Sequence, residues 1–473
     1  MTEGPPRIDT LGALRRSGWR SRPLRTELRE NLVARLREGK PLFTGILGYD
    51  DTVVPAVENA LLCGHDLIFL GERGQAKTRM IRQLVELLDE WMPVVAGSEI
   101  NDDPEAPVSA YARRLVAERG DDTPIAWVHR SDRYVEKLAT PDVSIADLIG
   151  DVDPVKVAEG RSLGDELTIH FGLLPRTNRG IFCINELPDL TEKVQVGLFN
   201  VMQERDVQVK GYRVRLPLDV LVVASANPED YTSRGRIITP LKDRYAAQVR
   251  THYPATRALE RAVVLQEARL PQVPGVAIHV PSFLQDVVAE MTLQARASAD
   301  VNQSSGVSVR MSIANYETLV AAAVRRALRL GEPEAVPRVS DLDALLSSTQ
   351  GKLELEYAGA ERSEADLVRE LARRATKVVF DALVPLEGIA AVAEAFEQGW
   401  QVEVSAQMPS AEYLDGLDQI PGLREAAARL AGGDSPARLA SAIEFVLEGL
   451  HLANRLNKTE VEGRARYALR SGR

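Results

Sequence analysis

The sequence predicts an α/β domain built on a parallel sheet, followed by a helical domain and a further, mainly helical block. Three observations predict it. The runs Asp66–Leu70, Gly180–Ile184 and Asp219–Ala224 are short, continuous and largely aliphatic, the pattern of strands buried on both faces of a parallel sheet. The first run leads through a glycine-rich loop into a helical pattern, a strand–loop–helix unit. Beyond Pro254 the strand signals stop, and helical spacing with Gly and Pro punctuation takes over.

Taken in order, Leu24, Leu28, Leu32 and Leu36 recur at the four-residue spacing of an amphipathic helix over 24–38. Residues 54–87 read as apolar helix, glycine turn, strand, glycine-rich loop and helix. The acidic stretch 99–123, with its Pro and Asp residues, reads as a surface insertion. A helix is expected over 192–204. The alternating run 207–216, which carries Gly211, is expected to form a protruding hairpin. Helices are expected over 255–268, 281–297 and 312–330, then over 364–382 and 436–457, with a turn at Gly399 and Trp400. A chain of 473 residues exceeds the roughly 250–300 that one core sustains. The expected division is 1–38, a basic tail and helix; 39–252, the α/β domain; 253–345, a helical lid; and 346–473, a helical accessory domain.

Composition narrows the function classes. With 45% hydrophobic and 27% charged residues the chain is an ordinary globular one. A net charge of −10 argues against a general nucleic-acid binder, which needs a basic surface to displace counterions. The arginines at 15, 16, 20, 22 and 25 are the local exception and read as a solvated tail. The two cysteines, Cys63 and Cys183, lie in apolar runs and are expected to be small buried hydrophobes, not a disulfide or a metal pair, and the six histidines show no paired-ligand spacing. No apolar run approaches the roughly 20 residues of a membrane span. The expected location is the cytoplasm.

The run Gly71-Glu72-Arg73-Gly74-Gln75-Ala76-Lys77-Thr78 nearly matches the phosphate-binding pattern G-x-x-x-x-G-K-[ST], and it sits between strand and helix as that pattern requires. Successive backbone N–H groups in such a loop cradle an anion. Lys77 would reach the β- and γ-phosphates of ATP, and Thr78 would offer its hydroxyl to Mg²⁺. Ala76 departs from the pattern, and its methyl is expected to fit if φ stays negative. At the end of the second strand, Ile181-Phe182-Cys183-Ile184-Asn185-Glu186 has the shape of a Walker-B element. Glu186 is the candidate base. Asn185 stands where an Asp usually supports the metal, and it lacks that charge. At the end of the third strand, Asn227 in Ala226-Asn227-Pro228 would meet the same crevice, since ligands gather at the carboxyl ends of parallel strands.

On these residues the segment 46–252 resembles the AAA+ ATPases of the magnesium-chelatase ATPase subunit and the MoxR group. Further matches are Phe-Gly-Leu-Leu-Pro-Arg-Thr-Asn-Arg-Gly at 171–180 and Pro-Leu-Lys-Asp-Arg-Tyr at 240–245. The resemblance implies that Asn227 is the sensor-1 residue. It implies that Arg244 is a finger entering the neighbouring subunit's site, and that Arg310, before a helix, is the lid's sensor-2 arginine. An arginine in either place would stabilise charge developing on the γ-phosphate. It further implies a ring, as a hexamer, and a motor acting on a partner with a von Willebrand factor A-type domain. The Asn185 departure puts metal affinity and turnover in doubt.

Two enzyme readings stay open, a motor of this kind and a magnesium chelatase subunit proper, whose porphyrin chemistry would belong to another subunit. A nucleotide-gated scaffold with slow turnover is the reading from another class. An activator of alternative-sigma-factor promoters would need a Gly-Ala-Phe-Thr-Gly-Ala loop between the Walker elements. Phe43-Thr44-Gly45 lies ahead of the phosphate loop and does not serve.

Overall fold

The computed structural model describes residues 4–153, 166–203, 216–227, 235–302, 306–354, 363–385, 389–415, 420–461 and 464–469. The chain divides into two compact units, residues 1–252 and 253–473. The hairpin expected over 207–216 lies almost entirely outside the described residues.

The first unit is built on strands β1 (Leu67–Leu70), β2 (Tyr134–Leu138), β3 (Gly180–Asn185), β4 (Val220–Ala226) and β5 (Ala247–Arg250), in the order β2-β3-β4-β1-β5. Every pairing is parallel. Alternate side chains divide between the two faces. Ile68, Leu70, Phe182, Ile184, Val220 and Val222 enter one core, while Leu67, Phe69, Ile181, Cys183, Leu221 and Val223 enter the other. That double burial is why the three central strands read as unbroken aliphatic runs. The edge strands β2 and β5 were not expected from sequence. Tyr-Val-Glu-Lys-Leu and Ala-Gln-Val-Arg carry charge at the sheet margins, where one side of the strand stays unpaired.

Helices cover both faces. Leu24–Arg37, Val53–Cys63 and Lys77–Gln83 pack Leu28, Val57 and Met80 on one. On the other, the expected helix over 192–204 is observed as two pieces, Glu192–Gly197 and Phe199–Gln203, which pack beside Thr239–Arg244. Burial pushes the Cys183 thiol, in the centre of β3, up to about 12.

The N-terminal arginines do not form a loose tail. Arg15 pairs with Asp121, Arg22 with Glu30 and Asp89, and Arg25 with Asp66. Leu11 and Leu14 are buried with Ile125. Behind them, Arg133 makes a two-pronged ion pair with Glu27 at 2.7 and 2.6 Å, with both side chains buried. The stretch 99–123 holds helix Ala110–Arg119, exposed along most of its length. Its base is nonetheless fixed by Asp102, fully buried, which accepts from Val108 and Ser109 backbone N–H groups and from the hydroxyls of Ser98 and Ser109.

In the second unit, Arg257–Glu267, Ser282–Ala297 and Val309–Leu330 share one core with Glu364–Leu383 and Pro436–Leu452. Phe283 stacks on Phe445 at 4.3 Å between ring centroids, so residues either side of 345/346 pack together. A three-stranded antiparallel sheet, Val402–Val404, Arg464–Leu469 and Leu456–Val461, adds to this mainly helical region. Trp400 is partly buried against the core. No described helix is long and apolar enough to cross a membrane.

Candidate nucleotide site

The phosphate loop leaves β1 at Gly71, where the side chains of Thr251 and Gln75 close in. A Cβ on Gly71 would lie 1.9 Å from Thr251 Oγ1 and 2.2 Å from Gln75 Oε1. Gly74 takes φ +78°. Ala76 takes φ +56°, in the left-handed region, so the condition under which its methyl fits without strain is not met. A non-glycine residue there costs roughly 1–2 kcal/mol, which the rest of the loop must offset. Helix Lys77–Gln83 starts directly after it.

Three neighbouring strand ends bring the predicted polar residues together. Lys77, only 6% exposed, donates from Nζ to the Gly71 carbonyl, to the Glu72 carbonyl at 2.9 Å and to Asn227 Oδ1 at 2.6 Å. The Asn227 amide nitrogen donates in turn to Glu186 Oε2 at 2.8 Å. One side-chain amide thus joins the phosphate-loop cation to the candidate base. Thr78 Oγ1 lies 3.4 Å from Asn185 Oδ1, which also accepts from the Ser225 hydroxyl at 2.5 Å. Ser225 accepts the Glu186 backbone N–H at 3.1 Å. Glu186 takes φ +57°, a second non-glycine residue held in the left-handed region at this site. Of the remaining loop residues, Gln75 is buried, Glu72 is half-buried and Arg73 is exposed.

Sequence reasoning missed the brace behind the loop. Tyr49 donates to the Gln75 carbonyl at 3.0 Å and to the His252 carbonyl at 2.7 Å, and its ring meets His252 edge-on at 4.9 Å. Thr251 donates to Gln75 Oε1 at 2.6 Å. Burial pushes the Tyr49 hydroxyl up to about 12, so it remains a donor across the physiological range.

Arg244 is engaged within its own chain. Its guanidinium lies 4.4 Å from the Phe199 ring centroid and donates to Gln203 Oε1 and to the Pro240 carbonyl, each at 2.6 Å. Arg310 belongs to the second unit, is exposed at the start of Val309–Leu330, and follows the Ser308 cap.

The residues present suit ATP and Mg²⁺. The loop offers backbone N–H groups and a buried ammonium for phosphate, and Thr78 with Asn185 offers neutral oxygen donors of the kind a hard cation takes. Among the described residues no group of three or more His, Cys, Asp or Glu could hold a metal instead.

Parts of the chain are similar to known proteins. Residues 163–242 match the family model described as the Sigma-54 interaction domain. The magnesium-chelatase subunit ChlI of Nostoc sp. is 28% identical over 258 residues, 53% of this chain and 63% of that protein. The magnesium-chelatase 38 kDa subunit of Cereibacter sphaeroides is 28% identical over 228 residues, 45% of this chain and 59% of that one. The chain therefore spans less than two thirds of the length of these relatives. A chain from a cryo-EM-based model of the complex between magnesium-chelatase subunits BchI and BchD aligns at 20% identity with a TM-score of 0.36, over 72% of this chain and 96% of that one. With its parallel sheet and these stretches of likeness, the chain is similar to the AAA+ ATPase subunit of magnesium chelatase.

Proposed function

We propose that this chain is an ATP-hydrolysing motor that works as a ring, as a hexamer, and remodels or activates a protein partner carrying a von Willebrand factor A-type domain. The observation that carries the reading is the continuous link Lys77–Asn227–Glu186 across three strand ends. Phosphate competes with the Gly71 and Glu72 carbonyls for the Lys77 ammonium, and the loop's N–H groups hold the rest of its charge. Asn227 keeps the Glu186 carboxylate oriented, and Glu186 accepts a proton from the attacking water. Thr78 and Asn185 would hold Mg²⁺, which when bound supplies positive charge at the β- and γ-phosphates. Arg244 would reach the site of a neighbouring subunit, and Arg310 would serve as the lid's arginine.

A phosphate-release assay with calorimetry tests the core of this. Lys77→Ala is expected to abolish ATP binding with the fold intact, and Glu186→Gln to bind ATP but hardly hydrolyse it. Unchanged ATP affinity in the lysine variant would remove the phosphate-loop assignment.

The names of the relatives favour a second reading, a magnesium chelatase subunit proper. Porphyrin metallation that depends on this chain and ATP, in the presence of the other chelatase subunits, separates it from the first. The family match to a Sigma-54 interaction domain does not favour promoter opening, because no Gly-Ala-Phe-Thr-Gly-Ala run lies between Thr78 and Asn185.

A further inference from the structure

Among the described residues, no carboxylate grips Arg244. Its guanidinium rests on a ring face, the Phe199 phenyl, and on two neutral acceptors, Gln203 Oε1 and the Pro240 carbonyl. A ring face and an amide restrain an arginine by stacking and hydrogen bonding without cancelling its charge. A carboxylate in place of Gln203 would form an ion pair and consume the charge locally. The observed arrangement suits a cation held in a fixed direction for an anion that another molecule supplies. The Arg244 Nε–H, buried and without a hydrogen-bond partner among the described residues, fits the same picture of an unsaturated guanidinium.

The other end of the same short helix is fixed as firmly. Gln195, fully buried, donates to the Leu190 carbonyl at 2.9 Å and the Arg236 carbonyl at 3.0 Å, and accepts the Ile238 N–H at 3.0 Å. It stitches Glu192–Gly197 to the chain entering Thr239–Arg244, while Phe199–Gln203 grips that helix's last residue. These turns also follow Glu186 by only a few residues, through Leu187–Asp189.

We infer that Phe199 and Gln203 are positioning residues for Arg244, setting the direction in which its guanidinium is offered to the nucleotide of a neighbouring copy of this chain. The two helical pieces spanning 192–203 thereby connect the Glu186 of one site to the arginine that serves the next. This rests on the proposed reading of Arg244 as an arginine acting between subunits.

The test is a double-substitution cycle on assembled rings of the full chain, with kcat, KM for ATP and nucleotide affinity measured for each variant. Gln203→Ala and Phe199→Leu are expected to lower kcat about tenfold while KM and affinity move by less than about twofold, the signature of an interaction made only in the transition state. Gln203→Glu should lower kcat at least as far, because the carboxylate pairs with the guanidinium. In an Arg244→Ala background, Gln203→Ala should cost nothing further, since coupled residues are non-additive. An equal drop with and without Arg244 would overturn the positioning role. Full hydrolysis by the Arg244→Ala single variant would sink the inter-subunit reading and this inference with it, before any second substitution is made. Thermal unfolding checks that Phe199→Leu folds; if it does not, the Gln203 variants decide the cycle alone.

Discussion

At Asn185 the metal position carries a neutral amide whose oxygen already accepts from the Ser225 hydroxyl and lies 3.4 Å from Thr78 Oγ1. Replacing it with aspartate keeps both contacts, because a carboxylate accepts from the same donors, and adds the charge that favours Mg²⁺. Asn185→Asp is therefore expected to speed hydrolysis at low Mg²⁺ and to matter less when the ion saturates. A tenfold gain would correspond to about 1.4 kcal/mol of barrier. Steady-state rates across a Mg²⁺ titration check this, and slower turnover at every concentration would contradict it. Residues of this kind were legible because each ends a strand or a loop whose own pattern is local. Tyr49, Ser225 and Gln195 were not. Tyr49 meets His252 across 203 positions of sequence, Ser225 reaches Asn185 across 40, and Gln195 meets Arg236 across 41. Nothing in their immediate neighbours marks those partners. The left-handed φ of Ala76 is not legible in the sequence either, because only the closed loop dictates it.

Among the elements, the helix Leu24–Arg37 is joined to the sheet by a buried charge pair as well as by its leucines. Glu27 accepts from both terminal nitrogens of Arg133 and from the Asp89 N–H, while Arg133 also donates to the Arg179 carbonyl. Burial lowers the affinity of neighbouring Arg179 for its proton. Removing one partner of such a pair strands the other's charge. Glu27→Ala should destabilise the first unit by about 3–5 kcal/mol, and Glu27→Met with Arg133→Met should recover much of the loss. Denaturant unfolding of the three proteins measures it; a single variant within 1 kcal/mol of the parent, in the sense of an exposed pair, would refute the burial argument. The helix itself was plain from its leucine spacing. Its ionic anchor, like the edge strands β2 and β5, was hidden, because charged residues in a sequence do not say which of them will be enclosed.

For the whole molecule, the decisive property is whether sites are completed between copies. Arg244→Ala rings and Glu186→Gln rings should each be slow, yet mixed rings should recover part of the activity, since some interfaces then pair an intact glutamate with an intact arginine. Mixing assays with assembly verified by light scattering test this, and mixed rings that form but stay inactive would place the arginine in its own chain's site. At this scale the sequence indicated a sheet-bearing part followed by a helical part. It did not reveal that the helices after residue 253 share a single core, because packing partners such as Phe283 and Phe445 are far apart in the chain. The two cysteines turn that architecture into a clock. Cys63, expected to be buried, is exposed near the end of its helix, whereas Cys183 is enclosed at the centre of the strand that ends in Asn185, its thiol pushed up to about 12. Alkylating reagents should therefore modify Cys63 promptly and Cys183 only when β3 opens. Nucleotide at about a hundred times its Kd should slow the second reaction roughly a hundredfold if opening equilibrates before labelling, by stabilising the closed state some 2.7 kcal/mol. The rate at which one sulfur disappears would then report how tightly the site is occupied, with no need to follow catalysis at all.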